Sequence, residues 1–164
     1  MTTTNPGSQT TGAVPVAIGL IGAGAIGAFH GETLARRLPG VRLAGVADPA
    51  PGTAERLTGQ LGGMPAYTDA AELIADPDAE AIVIAAPARF HAGLIEAAAG
   101  AGKAVFCEKP MALTLAEADR AIAATRKAGV MLQVGFNRRF DASFRAARDL
   151  VAAGRVGTPS CCAR

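Results

Sequence analysis

Residues 16–27 read Val-Ala-Ile-Gly-Leu-Ile-Gly-Ala-Gly-Ala-Ile-Gly, an apolar run that leads into a glycine-rich turn. The run is typical of a buried strand, and Gly22, Gly24 and Gly27 have the G-x-G-x-x-G spacing. A helical pattern then continues as far as Leu38. A strand, a glycine turn and a helix in this order predict the first unit of a dinucleotide-binding fold.

The rest of the chain alternates apolar runs with helical segments. The predicted strands cover residues 14–21, 41–47, 81–86, 104–107 and 130–134, and the predicted helices cover the segment up to Leu38 and residues 53–62, 70–74, 90–100, 115–128 and 139–153. Strands separated by helices of this length favour an α/β fold, a doubly wound parallel sheet with helices on both faces.

Composition narrows the class of protein. The chain has 164 residues, net charge +2, 50% apolar residues and 18% charged residues, which excludes a disordered chain. The near-neutral charge gives no indication of nucleic-acid or membrane binding. Cys107, Cys161 and Cys162 form neither a disulfide framework nor a zinc-binding spacing, so we expect no metal site and a cytoplasmic location.

Three segments follow from these patterns. Residues 1–13 are polar and predicted to be a disordered tail, residues 14–136 form the dinucleotide-binding domain, and residues 137–164 contain a linking helix. In the predicted helix 139–153, Phe140, Phe144, Ala147 and Val151 share one face, so this helix is amphipathic. The abrupt ending at residues 160–164 leads us to expect a truncated second domain.

The glycine motif and Asp48 form the first candidate site. Gly22 permits a tight turn, Gly24 lets backbone amides approach a pyrophosphate, and Gly27 lets the helix lie close to the strand. Asp48 ends the second strand, about twenty residues further on, where it would accept hydrogen bonds from ribose hydroxyls. Its charge would repel a 2′-phosphate, so NAD is favoured over NADP. The alternative is that Asp48 only forms a turn before Pro49.

A second candidate site follows the strand at residues 104–107, where Glu108, Lys109 and Pro110 come next. Ligands of open α/β sheets bind beyond the carboxyl ends of the strands. We therefore expect Lys109 to be partly desolvated and to hydrogen-bond a substrate oxygen. The alternative is a solvated lysine paired with Glu108.

Two histidines and an arginine are less decisive. His91 follows Ala86 and Pro87 and is predicted to lie a few residues inside a helix, where packing is as plausible as ligand contact. His30 is expected to pack against the sheet. Arg138 either approaches a ligand or lies in a solvated turn, and Cys107 is expected to be a small core residue.

Four motifs together resemble the Gfo/Idh/MocA oxidoreductases. They are the glycine motif continuing to His30, Ala86-Pro87 with His91, residues 102–110 ending in Glu-Lys-Pro, and residues 133–141, which most resemble the inositol 2-dehydrogenase branch. The resemblance covers residues 14–159. It implies hydride transfer between a nicotinamide and a hydroxyl carbon of a sugar, polyol or inositol.

The resemblance also implies residue roles. The pyrophosphate would be held by Gly22, Gly24, Ile26 and Gly27, the ribose by Asp48, and the nicotinamide side would be lined by Ala86, Pro87 and Glu108. Further cofactor contacts would come from Ala25, His91 and Lys109, and Asn137 and Arg138 would lie near the nicotinamide or the substrate. Lys109 would contact the reacting oxygen as the catalytic residue, and the Lys109–Pro110 peptide bond would be cis. The family's second α/β domain, which supplies further acid and base residues and a homo-oligomer interface, is expected to be missing.

Two other functions compete with an NAD-dependent dehydrogenase. A non-catalytic NAD-binding regulatory or interaction module of the same family would keep the glycine motif without turnover. A Rossmann-like methyltransferase is disfavoured because the glycine spacing, Asp48 and Lys109 together fit a nicotinamide cofactor better.

Overall fold

The structure is a computed structural model that describes residues 14–157. The predicted tail at residues 1–13, Cys161 and Cys162, and the expected start of a second domain at residues 160–164 lie outside the described residues. The predicted α/β class is confirmed over the described part of the chain.

Six strands and six α-helices alternate along residues 14–157. The strands are β1 (Val16–Ile21), β2 (Val41–Ala47), β3 (Ala66–Tyr67), β4 (Ala81–Ile84), β5 (Ala104–Glu108) and β6 (Leu132–Gly135). The helices are α1 (Ala25–Arg36), α2 (Thr53–Leu61), α3 (Ala70–Ala75), α4 (His91–Gly100), α5 (Leu115–Ala128) and α6 (Ala142–Ala152). Short 3₁₀ turns at Ala88–Phe90 and Asn137–Arg139 precede α4 and α6.

The strands form one parallel sheet in the order β3-β2-β1-β4-β5-β6. The chain moves outward from β1 to β3 and then returns to β4 on the other side of β1. The carboxyl ends of β1 and β4 are therefore the point at which the order reverses, where doubly wound sheets bind their ligands.

Side chains alternate between the two faces of the sheet and build two apolar layers. On one face Leu20, Val46 and Val83 pack with Leu34 of α1 and Leu57 of α2. On the other face strand residues pack with α3, α4 and α5; this layer contains Ile21, Ile82, Ile84, Leu73, Ile95 and Ala121. Helices cover both faces, as the continuous apolar character of β4 predicted.

Local hydrogen bonds set several helix boundaries. Asp69 caps α3 by accepting from the Ala71 amide at 2.8 Å, and Thr114 and Glu117 form the predicted capping box at the start of α5. The helix α1 ends at Arg36, two residues earlier than predicted, because the amides of Arg37 and Leu38 both donate to the Thr33 carbonyl.

The sequence prediction was wrong at two elements. It missed β3, whose two residues are too few to show a periodic pattern. It also began the last helix at residue 139, whereas α6 begins at Ala142, where Asp141 accepts from the amides of Ser143 and Phe144. Phe140 therefore precedes the helix and does not belong to its apolar face, and no residue of α6 is buried.

The hydroxyl of Tyr67, the only tyrosine in the sequence, donates to Asp76 Oδ2 at 2.7 Å and joins β3 to the end of α3. This hydrogen bond, with burial adding to it, raises the pKa of Tyr67 to about 12. We expect Asp76→Asn to bring that pKa down toward the ordinary value of about 10. A spectrophotometric pH titration of the phenolate checks this.

The same pKa difference predicts how stability depends on pH. Since the folded-state pKa is raised, the stabilisation is present below about pH 10 and is lost as the pH rises toward about 12. Asp119→Asn, on the exposed side of α5, is the control and should leave the phenolate titration unchanged. An unchanged midpoint in Asp76→Asn would contradict the assignment.

Candidate functional site

A cavity of about 960 Å³ opens at the carboxyl ends of β1, β2 and β4. This volume is in the range of cavities that bind cofactors. Seven residues predicted from the sequence line it: Gly22, Gly24, Ala25, Ile26, Asp48, Ala86 and Pro87. The sheet therefore brings Asp48 and part of the predicted pyrophosphate and nicotinamide contacts into one cavity, although they are far apart in the sequence. The predicted residues that do not line it are Gly27, His91, Glu108, Lys109, Asn137 and Arg138.

The glycine turn forms the floor of this cavity. Gly22 has φ +96°, and a Cβ on it would lie 2.7 Å from the backbone of Ala85. A Cβ on Gly27 would overlap the Gly22 carbonyl oxygen, whereas a Cβ on Gly24 would meet no atom within 4 Å. Gly22 and Gly27 are therefore required by close packing, and Gly24 leaves open space beside the backbone.

The first amides of α1 face that open space. Gly24 is the N-cap of α1 and has no side chain with which to cap them, while Gly24, Ala25 and Ile26 all line the cavity. Uncapped amides at a helix N-terminus bind phosphate by hydrogen bonds and through the helix dipole. The residues present therefore fit the pyrophosphate of a dinucleotide.

Asp48 holds the glycine turn and also lines the cavity. Its Oδ2 accepts from the Ala23 amide at 2.8 Å, and its Oδ1 accepts from the Ala50 amide at 2.9 Å. The turn-forming alternative is therefore part of its role. Each carboxylate oxygen can accept a further hydrogen bond, so the same carboxylate can also receive ribose hydroxyls.

Lys109 lies outside the large cavity. With Asn137 and Arg138 it lines a second cavity of about 270 Å³, which Phe136 and Arg139 complete. Its peptide bond to Pro110 is cis, as the resemblance implied.

The predicted partial desolvation of Lys109 is wrong, because the residue is exposed beyond the end of β5. The alternative, an ion pair between the Lys109 ammonium and the Glu108 carboxylate, is also not formed among the described residues. The Glu108 carboxylate instead contacts His30 Nε2 at 2.9 Å through Oε1 and accepts from the Lys109 amide at 3.2 Å through Oε2.

His91 lies beneath the site and lines neither cavity. It is the first residue of α4, not an interior one, and only 2% of it is exposed. Its Nε2 is 2.7 Å from the Ala86 carbonyl oxygen, and its Nδ1 is 2.7 Å from the Pro110 carbonyl oxygen. These contacts correspond to the packing interpretation, not to a direct ligand contact.

Arg89 is the main cavity residue that the sequence analysis missed. Among the described residues that line the large cavity, it is the one cation, and its guanidinium stacks 4.5 Å from the centre of the Phe90 ring. Its position directly after Ala86-Pro87 could have identified it, because a loop that follows a central strand reaches the ligand edge of the sheet. Thr68 and Asp69 also line this cavity, because the unpredicted β3 places them beside β2.

Cys107 is fully buried at the end of β5, as predicted for a core residue. Burial, together with the nearby negative charge of Glu108, raises the pKa of its thiol to about 12. Residues 14–157 contain no group of three or more side chains that could hold a metal ion. None of the helices in that range combines the length and apolar character needed to cross a membrane.

Known proteins match the same part of the chain. The family pattern of Gfo/Idh/MocA, an oxidoreductase family with an NAD-binding Rossmann fold, matches residues 16–136. The myo-inositol 2-dehydrogenase of Thermotoga maritima is 41% identical over 142 residues. The NAD(+)-dependent scyllo-inositol 2-dehydrogenase of Bacillus subtilis is 37% identical over 140 residues. These matches cover 87% and 85% of this chain but 42% and 41% of the relatives.

Solved structures agree with the sequence comparison. The scyllo-inositol dehydrogenase of Lactobacillus casei, crystallised with NAD(H) and scyllo-inositol, superposes with a TM-score of 0.81 at 30% identity, covering 87% of this chain and 42% of that one. The myo-inositol 2-dehydrogenase of Lactobacillus plantarum gives a TM-score of 0.82 at 32% identity, covering 88% and 43%. The chain thus spans less than half the length of these relatives. It belongs to the Gfo/Idh/MocA oxidoreductase family and has that family's NAD-binding Rossmann fold.

Proposed function

We propose that this chain is the cofactor-binding part of an NAD-dependent dehydrogenase that oxidises a secondary alcohol of a polyol such as an inositol or a sugar. The observation that carries the proposal is that the Asp48 carboxylate accepts from the Ala23 amide of the glycine turn, and that both Asp48 and this turn line the large cavity. Lys109 at the end of β5, two strands from β1, supplies a cation where a substrate oxygen could bind. Relatives of matching sequence are named inositol dehydrogenases.

The large cavity would hold the dinucleotide along its length. The amides at the start of α1 would bind the pyrophosphate, with Arg89 adding positive charge nearby. Asp48 would accept from the adenosine ribose hydroxyls and repel a 2′-phosphate, which favours NAD over NADP. Ala86 and Pro87 would contact the nicotinamide side.

Lys109, Asn137 and Arg138 would form the substrate side of the site. NAD held by the α1 amides and Asp48 would supply the acceptor for the hydride of the alcohol carbon. The Lys109 ammonium would hydrogen-bond the alcohol oxygen and stabilise the negative charge that develops on it as its proton leaves. The described residues that line the small cavity carry no carboxylate or imidazole that could take this proton. We therefore expect residues 1–164 alone to turn over little or nothing.

The proposal extends to the organisation of the complete enzyme. Residues 14–136 would be the cofactor domain, and residues 137–164 would lead through α6 toward a substrate domain. The relatives' greater length leaves room for such a domain. We also propose a cytoplasmic homo-oligomer.

Isothermal calorimetry of residues 1–164 with NAD tests the cofactor site. We expect measurable binding, weakened by about tenfold in Asp48→Asn because a charge-assisted hydrogen bond to ribose is lost. The same substitution should raise the affinity for NADP relative to NAD, since it removes the repulsion of the 2′-phosphate.

Asp119→Asn removes one negative charge on the exposed side of α5 and serves as the matched control. It should leave the affinity for both cofactors unchanged. If NAD does not bind at concentrations up to about 1 mM, the proposed function is wrong. If NAD binds equally to the Asp48→Asn variant, the ribose assignment is wrong.

Saturation-transfer NMR with myo-inositol on the NAD-loaded chain tests Lys109. We expect Lys109→Met to weaken inositol binding by about tenfold, since a hydrogen bond from a charged donor contributes on the order of 1.5 kcal/mol or more. Lys127→Met, an exposed lysine on α5, is the control and should bind inositol like the unchanged chain. Equal inositol binding by Lys109→Met and by the unchanged chain would contradict the assignment of Lys109.

A further inference from the structure

The sequence contains two histidines, His30 and His91. They lie on different helices, α1 and α4, and neither lines the large or the small cavity. Each one nevertheless contacts a residue directly beside Lys109. His30 contacts Glu108, which precedes Lys109, and His91 contacts Pro110, which follows it.

His30 connects α1 to the backbone at Lys109 through the Glu108 carboxylate. His30 Nε2 donates to Glu108 Oε1 at 2.9 Å, and the other oxygen of that carboxylate accepts from the Lys109 amide at 3.2 Å. Both side chains are only 19% exposed, which limits competition from water. The edges of Phe106 and Phe29 contact the His30 ring at centroid distances of 5.6 and 6.0 Å. Packing and hydrogen bonding therefore fix the ring toward Glu108.

The contact of His91 connects two loops. Its ring joins the Ala86 carbonyl, after β4, to the Pro110 carbonyl, after β5, with both distances 2.7 Å. Both carbonyl oxygens are acceptors, so His91 donates from the ring nitrogen that carries a hydrogen, and each nitrogen is placed to contact one of the two loops. His91 itself is only 2% exposed, so little water competes for its ring nitrogens. Removal of the ring nitrogens would therefore release the two loops from each other.

The Lys109 side chain makes no hydrogen bond or ion pair within the described residues. The side chain is exposed, and its conformational freedom is lost when it binds a ligand. The direction in which it projects is therefore set by the backbone of residues 108–110. The two histidines hold this backbone on both sides of the lysine.

We propose that His30 and His91 are positioning residues that hold Lys109 at the small cavity, His30 through the Glu108 carboxylate and His91 through the Pro110 carbonyl. This inference rests on the proposed function, because it assigns Lys109 to the reacting oxygen. His91 also fixes the Ala86 carbonyl on the wall of the large cavity. The same ring thus couples the position of the lysine to the proposed nicotinamide side.

Hydrogen exchange of residues 1–164 without cofactor, followed by mass spectrometry, tests the holding of the loop. We expect His30→Phe and His91→Phe, which keep a ring but remove its nitrogens, to speed exchange in residues 107–113 by about tenfold. His30→Gln, whose amide replaces the Nε2 donor, should restore slow exchange. His91→Gln, which keeps an amide donor, is the second variant should His91→Phe fail to fold, and its exchange should lie between the two extremes.

Leu57→Ala is the matched control. It opens a cavity under α2, beside β2 and three strands from β5, and lowers stability without removing a hydrogen bond of residues 108–110. When Leu57→Ala is compared with a histidine variant of equal global stability, exchange in residues 107–113 should stay slow in Leu57→Ala. Equal acceleration in Leu57→Ala, or none in either histidine variant, would overturn the proposal.

Ligand binding separates positioning from folding. In His30→Phe we expect inositol binding to the NAD-loaded chain to weaken by about tenfold while NAD affinity stays unchanged, and His30→Gln to restore the inositol affinity. Parallel losses of both affinities without rescue would overturn the positioning role. Absence of NAD binding in the unchanged chain would overturn the proposed function, whereas the exchange experiment uses no cofactor and tests the histidines separately.

Discussion

The close approach of β1 and β4 at their carboxyl ends is the constraint on which the site depends. The Gly22 backbone lies so near Ala85 that any Cβ at position 22 would overlap it, and the same turn leaves no room for one at Gly27. These contacts place the start of α1 directly above the end of β1. The uncapped amides of α1 consequently face a cavity and not a neighbouring element.

Asp48 transmits this constraint to the next strand. By accepting from the Ala23 amide, its carboxylate holds the end of β2 against the glycine turn. A negative charge at this position also stabilises the turn, since it lies near the N-terminus of α1. One side chain therefore serves the fold and lines the proposed ribose position. A substitution of Asp48 can therefore lower cofactor affinity by disturbing the turn, and a change in the preference for NAD over NADP is the measurement that reports on the ribose contact.

Short-range patterns predicted the fold well because doubly wound sheets consist of local units. The apolar run of β4, the glycine turn and the capping box at Thr114 each carry their own signal in fewer than ten residues. The two-residue β3 carries none, and its pairing with β2 depends on tertiary contact. Asp141 could have located the start of α6, since an aspartate at the N-cap favours a helix beginning at the next residue.

The site was predicted less completely, because its side chains depend on partners distant in sequence. Asp48 and the glycine turn were predictable from a fixed spacing. The exposure of Lys109 and the contact between His30 and Glu108, 78 residues apart, were not. The sequence left two roles for His91, packing and ligand contact. The carbonyl oxygens of Ala86 and Pro110, one beside each ring nitrogen, favour the packing role.

The distribution of charge explains why the two cavities suit different ligands. The large cavity has Asp48 and Asp69 as its acidic lining residues and Arg89 as its cation, so helix dipole and backbone amides must supply much of the attraction for a pyrophosphate. The small cavity has three cations, Lys109, Arg138 and Arg139, beside the amide of Asn137. Arg138 stacks on Phe144 at 4.4 Å, which orients its guanidinium through an apolar contact. Positive charge is therefore concentrated at the small cavity, whereas the large cavity presents mainly backbone groups to a ligand.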